Sequence, residues 1–336
     1  MRRLPLAFVV AIALVAVACK PVDQGGFVVV TQAPVATGAA PSAGSSAALS
    51  TAPGASSTGA TASGGSTLAY YPVIISSQLA VGENRVVFSF IDPKTQLPNG
   101  TPDLAAAISF IAPGTTEPTP AVQGEFIWAI EGTRGEYIAH ATFASAGDWK
   151  AIFLIAPKGG TQQAIGLPFT VLLKPTVISI GDHAPNTKTP TLSDAGGDIR
   201  RISSDTTPDP TFYQVSVDQA LSRQTPFILV FATPAFCRSA QCGPTLDFVK
   251  KAKASAPASV AFINVEPYNL TYTDGRLQPV LDSAGNLVPN DASNAWGLPS
   301  EPWIFAVDRN GVVQGSFEGI VTQQELSDVI AKIAAS

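Results

Sequence analysis

The sequence is poor in charged residues and in the side chains that most often bind metals. Its 336 residues include three Cys, two His and one Met, which is the first residue. Sites built from several His or Met side chains are therefore excluded, and we expect no metal and no cofactor. Charged residues make up 13% of the chain, about half of the ~25% typical of globular domains. The net charge is -5 and no basic stripe is present, so nucleic acid is not an expected partner.

The N-terminus has the pattern of an export signal. Arg2 and Arg3 precede an apolar run over residues 6–18, which is too short to span a bilayer comfortably. The following Ala16-Val17-Ala18-Cys19 resembles the lipobox of bacterial lipoproteins, although Ala16 stands where Leu is usual. The resemblance implies a lipoprotein signal peptide over 1–19 and lipidation of Cys19. Simple secretion, which leaves Cys19 as a thiol, and an uncleaved signal anchor are the alternatives.

Residues 20–68 are predicted to form a disordered linker. From about residue 31 to residue 67 the chain is almost wholly Ala, Ser, Gly, Thr and Pro, without charge. Such a composition behaves as a flexible coil, which would hold the folded part about 30 Å from its anchor on average. We interpret the segment as a membrane tether rather than a mere spacer, since only the signal precedes it. The protein is then anchored to the outer face of the cell membrane.

The cysteine count singles out one pair. Three Cys in an exported protein would leave one unpaired, whereas lipidation of Cys19 leaves Cys237 and Cys242. An oxidising compartment permits a disulfide between them, but a single short bridge is a weak staple for a domain of this size. We therefore expect the pair to have a chemical role.

Residues 69–174 are predicted to form an immunoglobulin-like β-sandwich. Short apolar or alternating runs are separated by turn signals at 98–100 and 146–148, and no convincing helical period intervenes. The runs are 85–91, 126–130, 137–143 and 149–155. About 100 residues with this pattern are typical of a sandwich of two antiparallel sheets.

Three phrases in this segment resemble the YtkA-like family of extracytoplasmic immunoglobulin-like domains. They are Val-Gly-Glu-Asn-Arg at 81–85, Arg-Gly-Glu-Tyr at 134–137 and Ala-Gly-Asp-Trp at 146–149. Relatives of that family often lie near copper-handling proteins, whose sites need Met and His. The chain offers His140 and His183, and a lone His in an alternating strand is more often a surface or packed residue. We interpret the domain as a spacer or docking module.

Residues 175–336 show alternating strands and helices, the pattern of an α/β domain. A buried strand at 227–231, a helix at 245–254 and a strand at 260–265 precede a hairpin of 303–307 and 312–317. A last helix opens at Thr322, which forms a capping box with Glu325. Its predicted apolar face consists of Leu326, Val329, Ile330 and Ile333.

This order of elements resembles the thioredoxin-like superfamily, in the redoxin branch that includes TlpA-like and peroxiredoxin-like proteins. The matching phrases are Ile-Gly-Asp-His-Ala-Pro at 180–185, Phe-Ala-Thr-Pro-Ala-Phe-Cys at 231–237 and Gly-Leu-Pro-Ser-Glu-Pro-Trp at 297–303. The resemblance implies a multidomain chain, with the β-sandwich followed by an α/β thioredoxin-like fold. It also implies a cis-proline at Pro302, which would present the backbone of Glu301 to a substrate peptide facing the sulfurs. Insertions such as 267–294 loosen the match.

The cysteine spacing departs from the family pattern, because four residues separate Cys237 from Cys242 where thioredoxin has two. Positions i and i+5 of a helix are too far apart for a disulfide, so Cys237 must lie in the preceding loop. Pro244 places the start of the helix near Gly243 or slightly earlier, with both sulfurs at its positive end.

Either Cys can be the nucleophile on sequence grounds. The distance from the strand favours Cys237, whereas Cys-Gly-Pro-Thr at 242–245 resembles the thioredoxin CGPC motif and favours Cys242. Arg238 would add positive charge to the site if it points inward.

The predicted function is thiol-disulfide exchange by Cys237 and Cys242 with thiols or disulfides of exported proteins. A non-catalytic thioredoxin-fold protein with a structural disulfide is the main alternative. A peroxidase is less favoured, because Thr233 lies four residues before Cys237 rather than three and the expected Arg near 300–303 is absent. A copper chaperone is also less favoured, because both His precede the pair.

Overall fold

The computed structural model describes residues 29–31 and 69–336. The predicted signal peptide 1–19, its Cys19 and most of the predicted linker 20–68 lie outside the described residues. The described part is rich in β-strands, has few helices and contains several antiparallel sheets. None of its helices is long and apolar enough to cross a membrane.

The first nine strands form two antiparallel sheets. One sheet has the order β1-β9-β8-β4-β5 and the other β2-β3-β7-β6. The strands are β1 (Val29–Thr31), β2 (Tyr71–Ile74), β3 (Gly82–Ile91), β4 (Leu104–Ile111), β5 (Val122–Gln123), β6 (Glu125–Ile130), β7 (Arg134–Phe143), β8 (Gly147–Pro157) and β9 (Gln163–Val171). The two sheets fit the predicted immunoglobulin-like sandwich, and each of the four predicted runs lies inside an observed strand.

Strand β1 falls inside the segment predicted to be a disordered linker. It pairs antiparallel with β9, with Val29 opposite Ile165 and Thr31 opposite Gln163. Backbone hydrogen bonding to an edge strand needs no particular side chain. The composition of residues 20–68 therefore does not predict the pairing of β1 with β9. The disordered linker over 20–68 stays a prediction.

The core of the sandwich is aromatic. Phe88 and Phe90 point to the same side of β3, as the two-residue period of a strand requires, and both are fully buried. Tyr137 of β7 stacks on Phe88 with ring centroids 5.4 Å apart, and its hydroxyl donates to the Thr101 carbonyl at 2.8 Å. Such pairs add to the stability that burial of the rings provides.

The remaining elements, within residues 175–336, form what we call the C-terminal unit. Its helices are α1 (Val217–Ser222), α2 (Cys242–Lys253), α3 (Asp291–Ala295) and α4 (Gln323–Ala334), and 3₁₀ turns lie at Ile199–Arg201 and Pro210–Tyr213. Its strands are β10 (Phe227–Phe231), β11 (Ala261–Val265), β12 (Leu270–Thr273), β13 (Arg276–Pro279), β14 (Trp303–Val307) and β15 (Val313–Glu318). Strands β12 and β13 pair with each other as a hairpin inside the predicted insertion 267–294.

The main sheet of this unit has the order β11-β10-β14-β15. Strand β10 is parallel to β11 and antiparallel to β14, and β14 is antiparallel to β15. All five residues of β10 are buried because both faces of the sheet are covered. One face packs against α2 and α4, and the other packs against residues of α1 and α3.

The last helix forms as predicted. Thr322 caps α4 by accepting from the Glu325 N–H at 3.0 Å, and the Glu325 carboxylate accepts from the Thr322 N–H at 2.8 Å. The four predicted apolar residues are buried in the core: Leu326, Val329, Ile330 and Ile333.

The sandwich contacts the C-terminal unit through charged side chains. Arg85 of β3 forms an ion pair with Glu325, with Nε 2.6 Å from Oε1, and it also donates to the Ile320 carbonyl at 2.7 Å. The Ser77 N–H donates to the Glu318 carboxylate at 2.8 Å. These contacts place one end of the sandwich beside the start of α4.

Candidate functional site

Cys237 and Cys242 form a disulfide at the start of α2, with their Cα atoms 5.9 Å apart. Cys237 lies in the loop after β10 and Cys242 is the first residue of the helix. Both placements were predicted from the five-residue spacing and from Pro244. The sequence therefore identified the pair and the reason why it can close.

Local sequence explains where α2 begins. The five apolar residues of β10 end at Phe231, and a loop runs from there to Gln241, the residue that precedes the helix. Ala240 has a φ of 61°, a left-handed conformation that turns the chain into the helix. Pro244 occupies the first turn, where its missing N–H leaves no hydrogen bond unmade.

The two cysteines differ in exposure. Cys242 is fully buried in the core beside α2, whereas Cys237 is half-buried at its edge. Of the two residues, Cys237 is therefore the one that solvent can reach, whereas Cys242 is closed to it.

A backbone hydrogen-bond donor is directed at the sulfur of Cys237. The Cys242 N–H lies 3.1 Å from Cys237 Sγ, and the Ser239 hydroxyl oxygen lies 3.4 Å from it. An N–H at a helix N-terminus stabilises a thiolate in this position, because negative charge is favoured there. The Arg238 side chain is exposed, and its backbone N–H points to Glu301.

Glu301 brings a carboxylate to the sulfurs. One of its oxygens and the two Sγ atoms all lie within 4.8 Å of one another. Oε1 accepts from the Arg238 N–H at 3.0 Å, and Oε2 accepts from the Tyr268 hydroxyl at 2.5 Å. The pKa of Tyr268 is raised well above its usual range. Burial is the larger cause, and the hydrogen bond to Glu301 is the second. The sequence analysis gave a role only to the backbone of Glu301. No local sequence pattern indicates that the Glu301 carboxylate lies beside the sulfurs.

The peptide bond between Glu301 and Pro302 is cis, as predicted. Pro302 is buried, and the Ser239 hydroxyl donates to the Glu301 carbonyl at 3.2 Å. The binding of a substrate peptide along the Glu301 backbone stays a prediction.

The sandwich contacts the loop that carries the disulfide. Arg134 Nη1 donates to the Ser239 carbonyl at 2.7 Å, and the Gln241 side-chain amide donates to Glu136 Oε1. Glu136 is fully buried, and its Oε2 has no hydrogen-bond partner. Burial raises the pKa of Glu136 to about 7, and the nearby Arg134 charge opposes that rise. Arg134 and Glu136 belong to the phrase at 134–137, to which the sequence analysis gave no role at the cysteine site.

A second buried carboxyl, that of Glu266, is linked by hydrogen bonds to the loop before Cys237. Glu266 Oε1 accepts from the Ser204 N–H at 2.6 Å, and the Ser204 hydroxyl accepts from the Ala235 N–H at 3.1 Å. Burial raises the pKa of Glu266 to about 7. This chain of contacts holds the segment before Cys237, and sequence reasoning did not find it.

The two histidines lie away from the sulfurs. His140 is exposed and lines a cleft of about 990 Å³ between the sandwich and the C-terminal unit. His183 is also exposed, next to β15. Neither belongs to the group formed by Cys237, Cys242 and Glu301, whose side chains are of types that bind metals.

Comparison with known proteins gives no family. No protein-family model and no curated protein matches the chain. Among solved structures, a protein of Bacteroides vulgatus described as a glycoside hydrolase matches with a TM-score of 0.20 and 12% identity, over 67% of this chain and 41% of that chain. A likeness of that size carries no argument about fold or function.

Proposed function

We propose that the chain is an exported thiol-disulfide oxidoreductase whose C-terminal unit is a thioredoxin-like domain. One observation carries the proposal: a disulfide at a helix N-terminus in which Cys237 is partly exposed and Cys242 is fully buried. A bridge that only fastened a loop would need no such difference. Disulfide exchange does need this difference in exposure. One sulfur must form the mixed disulfide with the substrate, and the other must then be able to break that mixed disulfide.

The greater exposure of Cys237 supports Cys237 as the residue that meets the substrate. A substrate thiolate attacks Cys237 Sγ, the bond between Cys237 and Cys242 breaks, and its electron pair leaves on Cys242 as a thiolate that takes up a proton. A second substrate thiol then loses its proton and attacks the substrate sulfur of the mixed disulfide, which releases the Cys237 thiolate. The substrate gains a disulfide and the protein gains two thiols. Reduction of a substrate disulfide is the same sequence in reverse.

The Cys242 N–H favours this assignment, because a thiolate on Cys237 is both the leaving group of the oxidation and the nucleophile of the reduction. A hydrogen bond of 3.1 Å from the helix N-terminus stabilises it in both directions.

The arrangement of the C-terminal unit supports a thioredoxin-like domain. A central buried strand leads through a loop to the cysteines and a helix, a parallel strand follows, and an antiparallel hairpin and a helix complete the unit. The proposed partners are thiols or disulfides of exported proteins. The proposed location is the outer face of the cell membrane, with Cys19 lipidated.

Exchange can be measured by the reduction of insulin in the presence of a dithiol. We expect the wild type to accelerate the reaction and both Cys237→Ser and Cys242→Ser to lose that acceleration. Cys19→Ser is the matched control, since it replaces a cysteine outside the pair and should keep the full rate. The proposal is wrong if the wild type is no faster than either pair variant.

A further inference from the structure

Three side chains of metal-binding types meet at the start of α2. Cys237 lies in the loop, Cys242 is the first residue of the helix, and Glu301 lies just before β14. Their two sulfurs and one carboxylate oxygen are all within 4.8 Å of one another. Ligand atoms that share one ion have separations in this range, so the three groups are already close enough to bind a cation together.

The disulfide form cannot use this arrangement, because each sulfur is bonded to the other. Reduction yields two thiols whose backbones stay close, with Cα atoms 5.9 Å apart in the disulfide. At Zn–S bonds of about 2.3 Å, the two sulfurs of a tetrahedral zinc ion lie roughly 3.8 Å apart. The sulfurs therefore need only a small separation to bind one ion.

Electrostatics favours a cation in the reduced site. Two thiolates and a carboxylate can place three negative charges within 4.8 Å in a partly buried position. Such like charges repel, and one Cys242 N–H and a helix N-terminus offset only part of that repulsion. A divalent ion neutralises two of the three charges. The stabilised thiolate on Cys237 is also the form that binds a metal.

The carboxylate is held in place by surrounding groups. The Arg238 N–H and the Tyr268 hydroxyl each donate to a different oxygen of Glu301, at 3.0 Å and 2.5 Å. Each carboxylate oxygen has a further lone pair available for a metal. Contacts of this kind orient ligands in metal sites and reduce the cost of ordering them.

We propose that the reduced protein binds one divalent, thiophilic cation of the zinc class through Cys237, Cys242 and Glu301. Water from the exposed side of Cys237 completes four-coordination. The carboxylate distinguishes this ion from Cu(I), a soft ion that prefers sulfur ligands alone. Metal binding at this site is a property beyond disulfide exchange. The metal and the disulfide exclude each other, because both use the sulfurs of Cys237 and Cys242.

Zinc titration of the full chain tests the proposal. All proteins carry Cys19→Ser, so that the pair supplies the only thiols, and a chromophoric chelator competes for Zn²⁺. We expect the phosphine-reduced protein to bind one Zn²⁺ and the oxidised protein none. Cys237→Ser and Cys242→Ser should each weaken binding severely, and Glu301→Gln by at least about tenfold. Glu117→Gln changes an exposed carboxyl in the same way and should leave the affinity unchanged.

Cobalt substitution separates loss of a ligand from loss of the fold. Glu301→Gln should keep the thiolate-to-Co²⁺ charge-transfer absorption at saturating metal while its affinity falls. Equal zinc affinity of oxidised and reduced protein, or of Glu301→Gln and the parent, overturns the proposal, as does binding of Cu(I) without Zn²⁺. The titration needs no turnover, so its failure is distinct from a failure of exchange.

Discussion

Removal of the ionisable group at Glu136 should change how stability depends on pH. This carboxyl is fully buried between the sandwich and the disulfide loop, where the Gln241 amide donates to Oε1. Burial raises its pKa from 4.5 to about 7, although the charge of Arg134 acts in the opposite direction. Arg85 and Glu318 are the other charged groups that influence it, Arg85 lowering the pKa and Glu318 raising it.

The sign follows from where the proton is held. Below a pH of 4.5 Glu136 is protonated in both the folded and the unfolded chain, so its burial costs no ionisation energy. Between 4.5 and about 7 the unfolded chain releases the proton while the folded chain keeps it, so the free energy of unfolding falls as pH rises. At about 1.4 kcal/mol per pKa unit, the full loss is about 3 kcal/mol, reached just above the folded-state pKa.

The assay is urea unfolding of the wild type and Glu136→Gln at about pH 4 and about pH 8, with the difference between the two proteins taken at each pH. Glutamine keeps an oxygen for Gln241 and cannot ionise. Relative to the wild type, the variant should gain about 3 kcal/mol between the two pH values. Glu131→Gln, at an exposed site nearby, should gain nothing. A gain below about 0.5 kcal/mol for Glu136→Gln would refute the reasoning.

Three further outcomes are expected. Thr322→Ala should lower the free energy of unfolding by about 1 kcal/mol in urea titrations, because the hydroxyl that accepts from the Glu325 N–H is lost, and Thr322→Ser should restore most of it. Phe305→Ala should cost about 3 to 5 kcal/mol in the same assay, because its fully buried ring leaves a cavity beside Trp296. In the reduced protein, iodoacetamide should label Cys237 before Cys242 in peptide mass spectrometry, and equal rates would contradict the assigned exposure.

Local sequence was enough to predict most elements near the site. The hydrophobic run of β10, the position of Pro244 and the capping box at Thr322 each depend on neighbouring residues, and all three appear where expected. The closeness of the two sulfurs could also be derived, because it follows from helix geometry and a spacing of five residues. These features need no knowledge of how distant parts of the chain pack.

Contacts between distant segments could not be predicted. Glu136 and Gln241 are 105 residues apart, and Arg238 and Glu301 are 63 apart. Whether such side chains meet depends on how the sandwich sits against the C-terminal unit and how β14 approaches the loop. A buried carboxyl has no local sequence signature. Charged residues are mostly exposed, and the residues on either side of a Glu in the sequence do not show whether its own side chain is buried. The pairing of β1 with β9 was not predicted for a related reason. Its hydrogen bonds join backbone groups, so the amino-acid composition of the segment does not indicate it.

The most direct test of the account is the site of the mixed disulfide. In a chain that also carries Cys19→Ser, Cys242→Ser reacted with an aromatic disulfide reagent should form a stable adduct on Cys237, because no second thiol can release it. Cys237→Ser should react far more slowly, because the sulfur of Cys242 is buried. Mass spectrometry of the two variants locates the adduct. Adducts formed equally fast on both variants, or faster on Cys242, would contradict the claim that Cys237 is the sulfur that meets the substrate.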